Sequence, residues 1–292
     1  MKILFAVDGS EISQRAIAQF LDFRCPFGTE LKVVSVVDFF EPFPSIEDVK
    51  EREIKAAQKL VDDTVDKLKE THKDSVVSGV LLDGYAIDEI LREAKTFAAD
   101  LIVVGSHGRT GLSELVLGSV SRAVMHHAPC SVRIIRDASA TSEPSGGNVL
   151  LAVDDSQYSD RLIDHVLALP WSAKTKFRLF HVVPEIDPGL LLDPEAEFSA
   201  TIKGYHEAKL AGAEEWLKPL VGKLNSSYGE AVAEFKVVVG EAREEILQEA
   251  KAWPCDLVMM GSHGRRGIER FLLGSVSEAV ATHALTSVEV VR

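Results

Sequence analysis

Two glycine-serine strings hold the chemistry this sequence can do. Gly105-x2-Gly108-x9-Gly118-Ser119 follows an apolar run in the first half, and Gly261-x2-Gly264-x9-Gly274-Ser275 follows another in the second half with the same spacing. Glycine at a strand end lets main chain approach a ligand with no side chain in the way. Gly118-Ser119-Val120-Ser121 and Gly274-Ser275-Val276-Ser277 then open helical segments, where unpaired amides and the helix dipole suit an anion and two hydroxyls add donors. Such a site cradles phosphate, with charge compensation left to main chain, to Arg109 and Arg265, and to a bound divalent ion. The lysine loop of P-loop motors and the G-x-G-x-x-G fingerprint of dinucleotide dehydrogenases are both missing. A single glycine loop after a strand is often only a tight turn; two copies, each with the distal Gly-Ser, favour the ligand reading.

The elements that must position these loops repeat. Residues 81–136 align without gaps on 237–292 at an offset of 156, with 28 of 56 positions identical. Ile3 to Asp8 matches Val149 to Asp154 at an offset of 146, so the second copy carries a net ten-residue insertion in its middle. A unit of this length is a whole domain rather than a solenoid repeat. The spacing predicts domains over 1–138 and 147–292, joined by a polar, breaker-rich linker at 139–146. In the first copy, apolar runs predict strands near 2–8, 31–37, 76–82, 101–105 and 131–136. Helical faces fall at Ile12, Ala16, Phe20 and Phe23; at Ile54, Ala57, Val61, Val65 and Leu68; at Ile87, Ile90, Leu91, Ala94 and Phe97; and at Val116, Val120, Ala123, Val124 and His127. Five parallel strands with helices on both faces make each copy a doubly wound α/β domain, whose ligands bind beyond the carboxyl ends of the strands. Both strings lie there.

Composition narrows the classes. Forty-five acidic against 32 basic residues give net charge −13, the wrong field for binding nucleic acid through its phosphates. Three scattered cysteines, Cys25, Cys130 and Cys255, form no C-x-x-C, which points away from a disulfide framework or a zinc site and toward a reducing cytoplasm. The first residues meet Asp8 too soon for a signal peptide, and no run of about 18 apolar residues supports a membrane span.

Several residues admit plainer roles. His107 and His263 sit inside the loops, but no serine or cysteine with an oriented partner accompanies them, so a hydrogen-bonding loop histidine is favoured over a general base and no catalytic residue is assigned. His127 and His283 read as buried or interface histidines. Asp8 and Asp154 fit a strand-to-helix approach with Ser10 or Ser156 as N-cap, although their place at a strand's carboxyl end favours a ligand role. Cys25 has no evident activator.

The G-2x-G-9x-G-[ST] spacing, twice over, resembles the ATP-binding signature of the universal stress proteins in their tandem two-domain form, and the resemblance covers nearly the whole chain. It implies an adenine nucleotide, ATP with Mg²⁺ first, bound in each domain of a regulatory stress-response protein. It implies that Ala6, Val7 and Asp8 border adenine and ribose, that Val36 lines the base pocket, and that Gly105, Gly108, Gly118, Ser119, Val120 and Ser121 embrace ribose and phosphates. The matching set in the second domain is Ala152, Val153, Asp154, Val182, Gly261, Gly264, Gly274, Ser275, Val276 and Ser277. Asp155 departs from the pattern, standing where the first copy has Gly9; a second carboxylate there either repels phosphate or offers a metal ligand. A slow ATP hydrolase of the same fold and a nucleotide-free interaction protein are the alternatives.

Each copy ends in an apolar strand, Ser131 to Arg136 and Ser287 to Arg292, and an uncovered edge of this kind is a template for pairing. The two last strands are expected to pair antiparallel within one chain about a pseudo-twofold axis, with Arg133 and Glu289 helping to fix register. Further self-association into a homodimer is left open.

Overall fold

A computed structural model describes residues 1–21, 23–37, 47–108, 117–136, 147–185, 196–264 and 273–292. The first copy runs β1 (Lys2–Ala6), α1 (Glu11–Leu21), β2 (Glu30–Val37), α2 (Glu47–Thr71), β3 (Val76–Asp83), α3 (Ala86–Phe97), β4 (Leu101–Gly105), α4 (Ser119–His127) and β5 (Ser131–Ile135). The second runs β6 (Asn148–Ala152), α5 (Gln157–Ala168), β7 (Lys176–Pro184), α6 (Ala196–Tyr228), β8 (Ala233–Gly240), α7 (Ala242–Ala252), β9 (Leu257–Gly261), α8 (Ser275–His283) and β10 (Ser287–Val291). The inserted residues fall between β7 and β8, where α6 has 33 residues against 25 in α2. The expected linker, 139–146, lies outside the described residues.

All ten strands join one sheet in the order β3-β2-β1-β4-β5-β10-β9-β6-β7-β8. Pairing is parallel within each half and antiparallel only between β5 and β10. Alternation along β1 explains the layers. Ile3 and Phe5 pack with Phe20 of α1 and Val61, Val65 and Leu68 of α2 on one face, while Leu4 packs with Ile90 and Ala94 of α3 and Met125 of α4 on the other. Under α3, α4, α7 and α8 the core is continuous across both halves, from Leu4 and Ile102 to Val258 and Val288.

The seam is antiparallel, as the edge strands led us to expect: Val132 faces Val290, Arg133 faces Glu289 and Ile134 faces Val288. Each half also terminates the other's last helix. The Arg136 guanidinium donates to the carbonyls of Ala281 (2.8 Å) and Thr282 (2.7 Å), and that of Arg292 donates to Met125 (2.6 Å) and His126 (3.3 Å). The last carbonyls of α8 and α4 thus find cationic partners at the negative end of the helix dipole.

Two expectations need correction. β1 ends at Ala6, not residue 8, because Asp8 turns the chain toward α1; its Oδ1 accepts from the Ser10 amide at 2.9 Å. His127 and His283 are exposed rather than buried. The buried face of α4 is Ser121, Val124 and Met125, which places residue 127 on the solvent side, and the histidine at the seam is His126, 3.2 Å from Glu278. Among the described residues no helix is long and apolar enough to cross a membrane.

Candidate functional site

The strand order reverses direction between β1 and β4, and a crevice opens there at their carboxyl ends. On one wall, the Val7 amide still reaches the Val34 carbonyl at 2.9 Å, after which Gly9 takes φ +80°, a left-handed conformation that suits glycine, and α1 begins. Ser10 caps α1, its Oγ accepting from the Ser13 amide at 3.2 Å.

On the other wall, the loop after β4 hangs on the neighbouring strand. The Ser106 amide donates to the Ile135 carbonyl at 2.8 Å, and the Ser106 carbonyl accepts from the Gly118 amide at 2.7 Å, closing the loop onto the start of α4. Gly118 is the N-cap of α4 and no side chain caps that end, so the amides of the first turn at Ser119, Val120 and Ser121 are left to a ligand or to water. Ser106 Oγ and His107 Nδ1 share a hydrogen bond at 3.0 Å, which orients the imidazole from within its own loop.

Between these walls lies a cavity of about 530 Å³, within the size range of small-molecule sites. Ala6, Val7, Asp8, Val36, Gly105, Gly108, Gly118, Ser119, Val120 and Ser121 all line it. Arg109 and Arg265 lie outside the described residues. Sequence reasoning missed Ser13, Val34, Ala86, Ile90, Val104 and Leu117, the apolar ones forming much of the cavity wall. The alternation of β2 points to Val34 once Val36 is chosen, because residues two apart share a face. Nothing in the spacing says that Ile90 of α3 meets them.

The glycines act mostly against the protein itself. A Cβ on Gly105 would stand 2.8 Å from Ile12 Cγ2, and one on Gly108 would stand 2.8 Å from Asp8 Oδ2. A Cβ on Gly118 would press the loop main chain, 3.2 Å from His107 Cα and 3.3 Å from the Ser106 carbonyl oxygen. The role expected for the Ser121 and Ser277 hydroxyls also changes. Each donates inward, Ser121 to the Gly105 carbonyl and Ser277 to the Gly261 carbonyl at 2.8 Å, so their protons tie helix to strand rather than point to a ligand.

The second half repeats this frame. The Ser262 amide donates to Val291 and the Gly274 amide to Ser262, both at 2.8 Å; α8 has no side-chain cap; and a Cβ on Gly264 would stand 2.7 Å from Asp154 Oδ2. Differences concentrate at the walls. Phe180 and Met260 replace Val34 and Val104, and Tyr158 replaces Ile12, its ring 5.1 Å from that of His263. Ala152, Val153 and Val182 are buried. Asp154 Oδ1 accepts from the Ser156 amide (3.2 Å), the Ser156 hydroxyl and the Ser159 hydroxyl (3.0 Å); Ser156 holds the N-cap position of α5, as expected, but its hydroxyl serves the carboxylate rather than the helix amides. Asp155 is exposed.

Elsewhere the chemistry is quiet. Burial pushes the Cys25 thiol up to about 11 and those of Cys130 and Cys255 up to about 12, which keeps all three protonated near neutral pH and poorly nucleophilic. Among the described residues no group of three or more His, Cys, Asp or Glu is placed to hold a metal ion. A site with one lining carboxylate, Asp8, suits Mg²⁺ only if phosphate oxygens and water complete the shell.

The sequence profile described as the Universal stress protein family matches residues 1–136 and again residues 147–292. A universal stress protein of Mycolicibacterium smegmatis is 30% identical over 245 residues, covering 82% of this chain and 75% of that one. One from Mycobacterium tuberculosis is 33% identical over 195 residues, covering 66% of this chain and 62% of that one. The crystal structure of a universal stress protein from Archaeoglobus fulgidus has the same fold, with a TM-score of 0.68 at 19% identity over 100% of this chain and 98% of that one.

Proposed function

The chain belongs to the Universal stress protein family in a tandem form, and on that premise we propose that it is a regulatory protein that binds adenine nucleotide, ATP with Mg²⁺ first, in each of its two halves. The observation that supports this most is convergence. Ten residues from four separate parts of the first half, expected around one nucleotide, line one cavity. Its apolar wall, with Val34, Val36, Ile90 and Val104, suits a purine, and its polar rim suits ribose and phosphate. The uncapped start of α4 offers amides to the phosphates, and Asp8 stands ready for a ribose hydroxyl or for a cation that the phosphates bring. Mg²⁺, when bound, would neutralise phosphate charge.

Binding rather than turnover is our reading. Of the described residues lining the cavity, Asp8 and His107 are the proton acceptors, and each is held by its own loop, Asp8 by the Ser10 amide and His107 by Ser106. A cytoplasmic setting fits the three free cysteines. Calorimetric titration of the full chain with ATP, ADP and AMP tests the proposal: saturable binding supports it, and no binding at millimolar ATP overturns it. Phosphate release followed over hours separates a binder from a slow hydrolase.

A further inference from the structure

The middle of the seam breaks a symmetry that its flanks obey. Val132 faces Val290 and Ile134 faces Val288. The Arg136 amide donates to Ser287 Oγ at 3.2 Å, and the Arg292 amide donates to Ser131 Oγ at 3.3 Å. Exchanging the two halves leaves this pattern unchanged. Arg133 and Glu289 occupy equivalent repeat positions, 156 apart, and face one another where the pseudo-twofold axis crosses the ladder, yet they carry opposite charges. Both are out of water, at 6% and 0% exposure. Glu289 accepts from Arg133 through Oε2, while its Oε1 lies 2.6 Å from His165 Nε2. The Arg133 guanidinium also lies over the rings of Phe20 and Phe23, at 5.1 and 5.4 Å.

We propose that this rung selects the partner of the edge strand: β5 accepts β10 of the same chain and rejects β5 of a second copy, and β10 likewise rejects another β10. An edge strand is an open template, and the flanking residues, Ser-Val and hydrophobic-x-Arg on both strands, are compatible with either pairing. Among the paired strand residues, only the middle rung differs in charge. Beside the ladder, the contact of His126 with Glu278 is a second one that exchange of the halves does not reproduce, since Thr282 and Arg122 hold the equivalent positions. Pairing β5 with β5 in the same register sets two buried guanidiniums against each other, and pairing β10 with β10 does the same with two carboxylates, each without its compensating charge. The half-chain therefore recognises its complement and not its likeness, even though both present nearly the same surface.

Reversal of charge in the full chain tests this. Arg133→Glu makes both sides of the rung acidic and Glu289→Arg makes both basic; each should lower the midpoint of thermal unfolding by about 10 °C. Combining them restores opposite charges and should recover at least half of that loss, although Phe20, Phe23 and His165 then meet the wrong partners. A double variant no more stable than the sum of the single losses would overturn the proposal. Should the reversals fail to fold, the neutral, symmetric chain Arg133→Gln, Glu289→Gln remains informative. Mixed with its ¹⁵N-labelled copy and weighed by native mass spectrometry, it should form mixed-mass dimers above the level shown by the parent chain. A level no higher than the parent's means that the rung selects nothing.

Discussion

Oδ2 of Asp8 lies 2.8 Å from the point where a Cβ would stand on Gly108, so the carboxylate at the end of β1 rests directly against the loop that follows β4. That contact joins the two walls of the cavity. Gly108→Ala should displace Asp8 and weaken ATP binding by about ten-fold, since a misplaced polar contact is worth roughly 1–2 kcal/mol. In an Asp8→Ala background the same change should cost little more, because the atom it strikes is gone. Titration of the four chains measures the coupling.

Ser121 separates a structural hydroxyl from a ligand-binding one. Its proton goes to the Gly105 carbonyl, so Ser121→Ala should destabilise the chain by about 1–2 kcal/mol while changing ATP affinity only a few-fold. Urea unfolding and ATP titration of one variant decide the matter: a large loss of affinity at unchanged stability would assign the hydroxyl to the nucleotide instead.

The two sites should differ. A unit charge about 6 Å from a phosphate costs roughly 2–3 kcal/mol at an effective dielectric near 20, before screening. Asp155 stands beside Asp154 where the first half has Gly9, and because it is exposed, solvent screening leaves its repulsion of phosphate well below that figure. Gly118→Val and Gly274→Val, which crowd the loop main chain, close the sites one at a time in the full chain. We expect the first site to bind ATP more tightly in EDTA, the gap to narrow with Mg²⁺, and Asp155→Gly to narrow it without metal. Tighter binding at the second site in EDTA would contradict this ranking.

Glu289 ties the seam to pH. Burial alone would raise its carboxyl, but Arg133 and His165 outweigh burial and hold it down, from 4.5 to about 2. A carboxyl depressed by folding contributes stability that is present above its unfolded value and is lost as pH falls through the folded one. The window is therefore between about pH 4.5 and 2, and the loss is on the order of 3 kcal/mol. Glu289→Gln should flatten this part of the acid-stability profile; an unchanged profile would mean that other carboxyls control it.

Much of this architecture is legible in residue order because it rests on local periodicity and on the repeat. Alternating burial along β1 and the helical faces of α1 to α3 follow from residues two or three to four apart, and the pairing of β5 with β10 follows from two uncovered apolar edges. The errors have equally local causes. The apolar face read from Val116, Val120, Ala123, Val124 and His127 starts at a residue outside the described ones, whereas α4 begins at Ser119 and buries Ser121, Val124 and Met125, so Met125 takes the inward place that the spacing gives to His127. Gly105 reads as an opening for a ligand, yet the side chain that meets it, Ile12, belongs to another element. A missing Cβ is visible in a sequence; what takes its place is decided by packing. For the same reason the wall formed by Val34, Ile90, Val104 and Leu117, drawn from separate elements, emerges only in the folded chain.

Whether an adenine nucleotide lies in the cavity between β1, β4 and α4 is decided by photolabelling the intact chain with 8-azidoadenosine triphosphate. Peptide mapping should place the label on the segments carrying Ala6 to Asp8, Val36, or Ala86 to Ile90, which border the apolar wall; excess ATP should abolish it, and Gly118→Val should remove it from the first half. Label confined to other segments, or label that ATP does not displace, would contradict the account.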